Sequence, residues 1–189
     1  MTTNAQPIGR VKLDDVRLSF PELFNATAFK PGDKPKFKAT FLVPQGSPLA
    51  EKVEAMIRAV LKAKYPQKHE AIFKQIQGNP NKFCWQDGDT KEYDGYAGMM
   101  ALSAKSDVRP LVIDEQRNPV SESDGKVYAG CYVNASVEIF TYENSGIGVS
   151  AQLRGVQFAR AGDAFSAGRP ADADEFDEVS AGTDAGDFA

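Results

Sequence analysis

A period of two in the apolar residues is the first pattern along the chain, over residues 10–20. The apolar side chains stand at odd positions as far as Leu13 and at even positions from Val16 onward. A strand cannot change the parity of its buried face without an extra residue, so we predict a β-bulge at Asp14–Asp15. A long, bent first strand is typical of a small closed barrel. Pro21 is expected to end this strand.

The same alternation returns in the second strand and, at greater length, near the end of the chain. It predicts strands at 36–43, 127–142 and 147–158, and shorter apolar runs predict strands at 83–85, 96–105 and 111–113. Within 127–142 the small apolar residues occupy one face and all four aromatic residues occupy the other. Asn144-Ser145-Gly146 predicts the hairpin turn that joins the last two strands, and Gly155 permits a second bulge.

Between the second and third strands the apolar spacing changes to that of an amphipathic helix. Ser47 and Pro48 are suited to the N-cap and to the first helical position. Apolar residues then recur at i, i+3 and i+4 up to Tyr65-Pro66, and a second short helix is predicted over residues 68–77. The chain is therefore predicted to be mainly β, with a helical insertion at 47–77.

Charge divides the chain of 189 residues into a weakly basic body and an acidic tail. From Asp163 onward there are eight acidic residues and one arginine, a net charge of −7. The preceding 162 residues hold 18 acidic and 21 basic residues, a net charge of +3. From Ala161 the composition is mostly Ala, Gly, Asp and Glu, which cannot bury enough apolar surface to fold alone. We therefore predict a folded domain at residues 1–160 and a disordered tail at 161–189.

Several classes of function do not fit the residues present. Two cysteines and one histidine are too few for a structural zinc site or a disulfide framework. No apolar run is long enough to span a membrane, and the first residues do not resemble a signal peptide. We therefore expect a reduced, cytoplasmic protein without membrane contact. Since neither a phosphate-binding glycine loop nor a serine nucleophile motif is present, catalysis and a bound cofactor are not expected.

Aromatic and basic side chains are expected on the outer faces of several strands. If the small residues of 127–142 face the core, the rings opposite them offer flat surfaces on which bases can stack. The predicted stacking residues are Tyr128, Tyr132, Phe140 and Trp85, and the predicted phosphate contacts are Arg10, Lys12, Arg17, Lys36, Lys38 and Arg154. Single-strand binders combine a basic groove with stacking rings, so the combination favours a nucleic-acid interface. The alternative is that the rings are covered and the cations form an ordinary solvated surface.

The most specific stretch of the chain is Gly130-Cys131-Tyr132-Val133-Asn134-Ala135. Further motifs are Arg17-Leu18-Ser19-Phe20-Pro21, Lys34-Pro35-Lys36-Phe37, Phe41-Leu42-Val43-Pro44, Arg109-Pro110-Leu111-Val112-Ile113-Asp114 and Leu153-Arg154-Gly155-Val156-Gln157. In this order, across residues 10–160, they resemble a bacteriophage single-stranded-DNA-binding protein family long catalogued as a domain of unknown function. The resemblance implies a five-stranded OB-fold barrel, here with an extra hairpin, that coats single-stranded DNA during phage replication or recombination.

The sequence therefore predicts a sequence-independent single-stranded-DNA-binding protein, without catalysis or metal, in the cytoplasm of an infected bacterial host. The acidic tail is expected to compete with DNA and to bind replication or recombination proteins. The tail residues expected to contact partners are Asp174, Glu175, Phe176, Asp177, Glu178, Asp187 and Phe188. Two alternatives stay open. One is a metal-dependent nuclease that uses Asp87 and Asp89, and the other is an interaction module whose tail mimics DNA.

Overall fold

The computed structural model describes residues 8–165, which form seven strands and two helices. The strands are β1 (Arg10–Thr27), β2 (Lys36–Pro44), β3 (Trp85–Asp87), β4 (Met99–Ser106), β5 (Leu111–Ile113), β6 (Tyr132–Glu143) and β7 (Ile147–Arg160). The helices are α1 (Pro48–Lys64) and α2 (His69–Ile76). Neither helix of this part of the chain is long and apolar enough to cross a bilayer.

Five of the strands close into a barrel. β4, β2, β1, β6 and β7 are neighbours in that order through antiparallel pairs, and β7 returns to β4 through a parallel pair at Lys105 and Gln152. β3 extends the sheet beside β4, and β5 pairs with β7 in parallel. The mainly β, five-stranded OB-fold barrel is therefore confirmed, and its two additional strands lie separately beside β4 and β7.

The predicted bulge in β1 is confirmed. Leu13 pairs with Ala135 and Val16 pairs with Val133, so Asp14–Asp15 together face a single residue of β6. An extra residue on one strand increases the local twist and bends the strand. The bend lets the first half of β1 pair with β6 and the second half pair with β2.

The prediction that Pro21 ends the first strand is wrong. β1 continues to Thr27, with a second irregularity between Ser19 and Glu22 in its pairing with β2. A proline has no N–H to donate, and a bulge is one of the few places in a sheet where that loss is tolerated. At this bulge Phe20 has a φ of 46°, a left-handed conformation that costs an L-residue roughly 1–2 kcal/mol.

The inward face of the barrel and one side of α1 form the main core. Ser47 caps α1 by accepting a hydrogen bond from the Ala50 N–H at 3.1 Å, and Pro48 occupies the first turn, as predicted. The fully buried residues of α1 are Val53, Ile57 and Leu61. α1 packs mainly against β6, and α2 packs against α1 and β7. The predicted helical insertion is therefore present and completes the core.

The strand predicted to start at Val127 begins only at Tyr132. Gly130 has a φ of 106°, which turns the preceding residues away from the ladder. From Tyr132 onward the predicted alternation holds as far as Phe140, with odd positions buried and even positions facing out. The hairpin between β6 and β7 and the irregularity beside Gly155 are both confirmed.

The chain stays packed for five residues after β7. This C-terminal strap, residues 161–165, ends at Phe165, of which 6% is exposed. Phe165 belongs to a second small core, whose other members are Leu42, Tyr96 and Ala101. The packed domain thus extends five residues beyond the boundary predicted at residue 160. The tail residues predicted to bind partners, 174–178, 187 and 188, lie outside the described residues.

Candidate nucleic-acid interface

An open groove of about 390 Å³ crosses the outer face of β2 and β4 and brings rings and lysines together. Lys38 on β2 and Lys105 on β4 face each other directly across the ladder. The exposed or half-buried rings that line the groove are Phe20, Phe29 and Tyr142. The hydroxyl groups that line it belong to Thr40, Ser103 and Ser150. We call this surface the β2–β4 groove.

The rings reach the groove from three different elements. Phe29 lies in the loop 28–35 and is 82% exposed, and Phe20 stands at the second bulge of β1 and is 47% exposed. Tyr142 is on β6, next to the β6–β7 hairpin. In OB-fold barrels, oligonucleotides bind to the face of the second and third barrel strands and to the loops after the first and fourth. Here those strands are β2 and β4, so the groove occupies this position.

Lys38 and Lys105 make the groove positively charged. The Lys38 ammonium lies 3.2 Å from a carboxylate oxygen of Glu22 and donates a hydrogen bond to the Thr27 hydroxyl at 3.1 Å. Within residues 8–165, Lys105 makes no ion pair. An exposed ion pair contributes only about 0–1 kcal/mol, so a phosphate can displace Glu22 from Lys38 at little cost. The groove can therefore neutralise phosphates at two points.

Two more lysines lie where the loop 28–35 joins β2. Lys34 and Lys36 share the Asp107 carboxylate at 3.1 and 3.2 Å. Hydrogen bonds from Lys34 and then Lys36 lower the pKa of that carboxyl, which is therefore ionised at neutral pH. Two cations thus share one anion, so this cluster, which includes the predicted phosphate contact Lys36, keeps a net positive charge.

Three of the predicted cations lie on a different part of the barrel. Arg10, Lys12 and Arg154 line a second groove, of about 310 Å³, across β1, β6 and β7. Arg10 and Arg154 converge on Glu138, at 3.9 and 3.0 Å, and Lys12 pairs with Asp14 at 2.9 Å. None of the side chains that line this groove is aromatic. We use the name β6 face for this groove alone; its cations can attract phosphates, but its lining offers no ring for stacking.

Arg17 and Tyr128 hold the C-terminal strap. Arg17 donates hydrogen bonds to the backbone oxygens of Gly130, at 3.0 Å, and Asp163, at 2.6 Å. The Tyr128 hydroxyl donates to the backbone oxygen of Gly162 at 2.8 Å. Tyr128 also precedes β6, so the prediction that it projects from the outer face of a strand is wrong. Both side chains are committed to contacts within the protein.

Tyr132 and Phe140 do project from the outer face of β6. The Arg160 guanidinium lies 3.5 Å from the centre of the Tyr132 ring and is held by Asp15 at 2.9 Å. The hydrogen bond from Arg160 lowers the pKa of Asp15. One face of Tyr132 is therefore already occupied by a cation. Phe140 is 41% exposed and lines neither groove.

The segment around β3 is structural. Trp85 is 3% exposed, so the stacking role predicted for it is wrong: the large apolar indole is part of the core. The carboxylates of Asp87 and Asp89 accept hydrogen bonds from the Gln45 side-chain amide at 2.8 and 3.2 Å. Asp87 also caps the turn that follows, by accepting from the Asp89 N–H. Among residues 8–165, no three His, Cys, Asp or Glu side chains are grouped to hold a metal ion.

Comparison with known proteins identifies the family. A family model described as the ssDNA-binding protein of Enterobacter phage Enc34 matches residues 9–188. The chain belongs to this family. It is also 50% identical, over 173 residues, to putative protein p50 of Acyrthosiphon pisum secondary endosymbiont phage 1, an alignment that covers 90% of this chain and 94% of the relative. The resemblance found in the sequence is thereby confirmed.

Two solved structures share the fold of this Enc34-family chain. One is the single-stranded DNA-binding protein from bacteriophage Enc34 in complex with ssDNA, with a TM-score of 0.70 and 23% identity over 84% of this chain and 90% of that chain. The other is gp2.5, a single-stranded DNA binding protein encoded by bacteriophage T7, with a TM-score of 0.55 and 15% identity over 95% of this chain and 98% of that chain. At these identities the likeness supports the fold alone.

Sequence reasoning missed three of the residues that line the β2–β4 groove in this family member. The sequence places Phe20 on the apolar face of the first predicted strand, Phe29 outside every predicted element, and Lys105 at the end of the strand predicted over 96–105. One signal was available for Phe29, because it stands beside Lys30 in a loop of Pro, Gly and Asp residues. An aromatic ring in such a loop has no local core to join, so its exposure could have been predicted.

Proposed function

We propose that this protein binds single-stranded DNA in the β2–β4 groove without reading its sequence. The observation that carries the proposal is the meeting of exposed rings, Phe20 and Phe29, with two lysines, Lys38 and Lys105, on one face of an OB-fold barrel. Membership of a family described as ssDNA-binding supports it. So does the fold shared with an Enc34 protein that was solved with ssDNA.

The two kinds of side chain have different tasks. Lys38 and Lys105 neutralise phosphates and release counterions, which makes the affinity depend on salt. Phe20 and Phe29 stack on bases, and each stack is worth about 1–3 kcal/mol. Every base has a π face, so stacking discriminates little between sequences. Hydroxyl groups such as that of Thr40 add hydrogen bonds to phosphate or sugar oxygens, which position the strand without specifying it.

In the cell, the proposed role is to coat and protect single-stranded DNA during phage DNA replication, recombination or repair, without catalysis, in the host cytoplasm. The phage origin of the relatives supports this setting. The acidic tail is proposed to compete with DNA for the lysines of the groove, because tethering gives it a high effective concentration. Phe176 and Phe188, which stand among acidic residues, suit contacts with basic, apolar pockets on replication proteins.

Fluorescence anisotropy with a labelled dT oligonucleotide tests the proposal. The full chain is expected to bind at low salt and to lose affinity steeply as salt rises. Phe29→Ala should weaken binding roughly 5- to 150-fold, the cost of one lost stack. Phe140→Ala is the matched control, since it removes a 41% exposed ring that lines neither groove, and it should leave the affinity unchanged.

The outcomes separate the function from its location. If the full chain does not bind dT even at low ionic strength, the proposed function is wrong. If the chain binds but Phe29→Ala has wild-type affinity, DNA does not occupy the β2–β4 groove. A loss of affinity in Phe140→Ala alone would place the DNA on the outer face of β6, as the sequence predicted.

A further inference from the structure

A second exposed ring continues the β2–β4 groove beyond Phe20. Tyr93, in the loop before β4, lies with its ring centre 5.0 Å from that of Phe20, at an interplanar angle of 77°. Tyr93 is 53% exposed and Phe20 is 47% exposed. We call this pair the aromatic ledge. Two neighbouring rings with about half of their surface in water are unusual outside an interaction surface, because burying them would be favourable.

Tyr96 supports the aromatic ledge from below. Its ring centre lies 6.4 Å from that of Phe20 and 5.2 Å from that of Tyr93, and both contacts are edge-to-face. Tyr96 is 4% exposed, and its hydroxyl donates a hydrogen bond to Ser19 Oγ at 3.1 Å. Tyr96 shares the second small core with Leu42, Ala101 and Phe165, the last residue of the C-terminal strap. The ledge is thus connected to the strap through this small buried core.

The C-terminal strap leaves Phe165 little freedom. Arg17 lies over the Phe165 ring, 4.4 Å from its centre, while it donates a hydrogen bond to the backbone oxygen of Asp163. The Phe165 N–H donates to the Ala129 oxygen at 3.0 Å. A Cβ atom at Gly95 would lie 2.5 Å from the Phe165 ring, so only glycine fits there. This close packing holds the ring beside Gly95, the residue that precedes Tyr96.

We propose that the aromatic ledge is a further base-stacking subsite at the end of the β2–β4 groove, and that Phe165 is a positioning residue that holds it through Tyr96. The inference rests on the proposed function. Phe20 already lines the groove, so a strand that leaves the groove on this side meets the ledge next. The left-handed backbone of Phe20 keeps its ring outside the barrel, where a base can reach it.

A double-mutant cycle in the full-length chain tests both parts of the proposal. Tyr93→Ala should weaken binding of a dT oligonucleotide roughly 5- to 150-fold, because one stacked base loses its partner. Phe165→Ala should also weaken binding, and Phe165→Leu should restore most of the affinity by refilling the second small core. In the Tyr93→Ala background, Phe165→Ala should add little further loss, because both changes act on the same ledge. Phe140→Ala is again the matched control ring.

Each outcome bears on one step. Wild-type affinity in Tyr93→Ala overturns the subsite. Because Tyr93 is exposed, its replacement tests the subsite without disturbing the core. Fully additive losses in the double variant overturn the positioning role of Phe165. If Phe165→Ala is not folded by circular dichroism, the cycle is run with Phe165→Val, which fills less of the second small core than leucine and should still weaken binding, and it is judged by the same criterion. Failure of the wild-type chain to bind dT would refute the proposed function itself, which is a separate result.

Discussion

The β2–β4 groove and the β6 face make opposite predictions for the salt dependence of DNA binding. Each phosphate of a single strand that the protein neutralises contributes about 0.7 to the slope of log Kobs against log salt concentration. Replacing both Lys38 and Lys105 by glutamine should therefore reduce that slope by about 1.4. Lys105 gives the cleaner single test, since it makes no ion pair among the described residues. Lys38→Gln also leaves Glu22 unpaired beside the DNA, which lowers the affinity further.

The matched control is the double variant Arg10→Gln with Arg154→Gln, which removes two cations from the β6 face. Both arginines already share Glu138, and no ring lines their groove, so the slope should stay unchanged. Anisotropy titrations with labelled dT at salt concentrations from about 50 to 200 mM give both slopes. An unchanged slope in the lysine variant, with a reduced slope in the arginine variant, would refute the groove and place the DNA on the β6 face.

Two further predictions concern the tail and acid stability. Removing residues 166–189, which hold seven acidic residues and one arginine, should tighten dT binding, and unchanged or weaker affinity would contradict competition by the tail. Arg160 holds the pKa of Asp15 below its ordinary value of 3.8, so their pair stabilises the fold above that pH and this contribution is lost as the pH falls further. The Tm of Asp15→Asn should therefore fall less than the Tm of the wild type when the pH is lowered from about 6 to about 3. Equal losses in thermal melts would exclude a stabilising pair.

Local rules predicted much of the fold because they depend on few residues. The parity change at Asp14–Asp15 requires an extra residue whatever the strand pairs with, so the bulge could be located before any partner was known. The Ser47 side chain accepts a hydrogen bond from a free N–H group in the first turn of α1, and the ring of Pro48 fixes a helical φ. Neither effect needs residues from other elements. The turn at 144–146 follows in the same way from its own residues.

The errors arise where distant parts of the chain meet. Pro21 stays within β1 because a second bulge against β2 removes the need for its missing N–H. The alternation that starts at Val127 looks like a strand, but Gly130 turns there to meet the strap, and a Cβ at Gly130 would lie 2.1 Å from the Asp163 oxygen. Trp85 is buried because β3 pairs with β4 and its indole joins the main core, which its own short segment does not reveal.

Barrel closure explains why the predicted interface divides into two surfaces. Alternation assigns each side chain to the inside or the outside of the barrel. It does not say on which side of the closed barrel an outward side chain lies. From Arg10 to Arg17, β1 pairs with β6, and from Arg17 to Thr27 it pairs with β2, so side chains that point outward from the two halves belong to different faces. Lys38 meets Lys105 only because β4 returns beside β2 after the helical insertion. The β2–β4 groove therefore follows from the topology of the barrel. The local pattern predicts only that its individual side chains point outward.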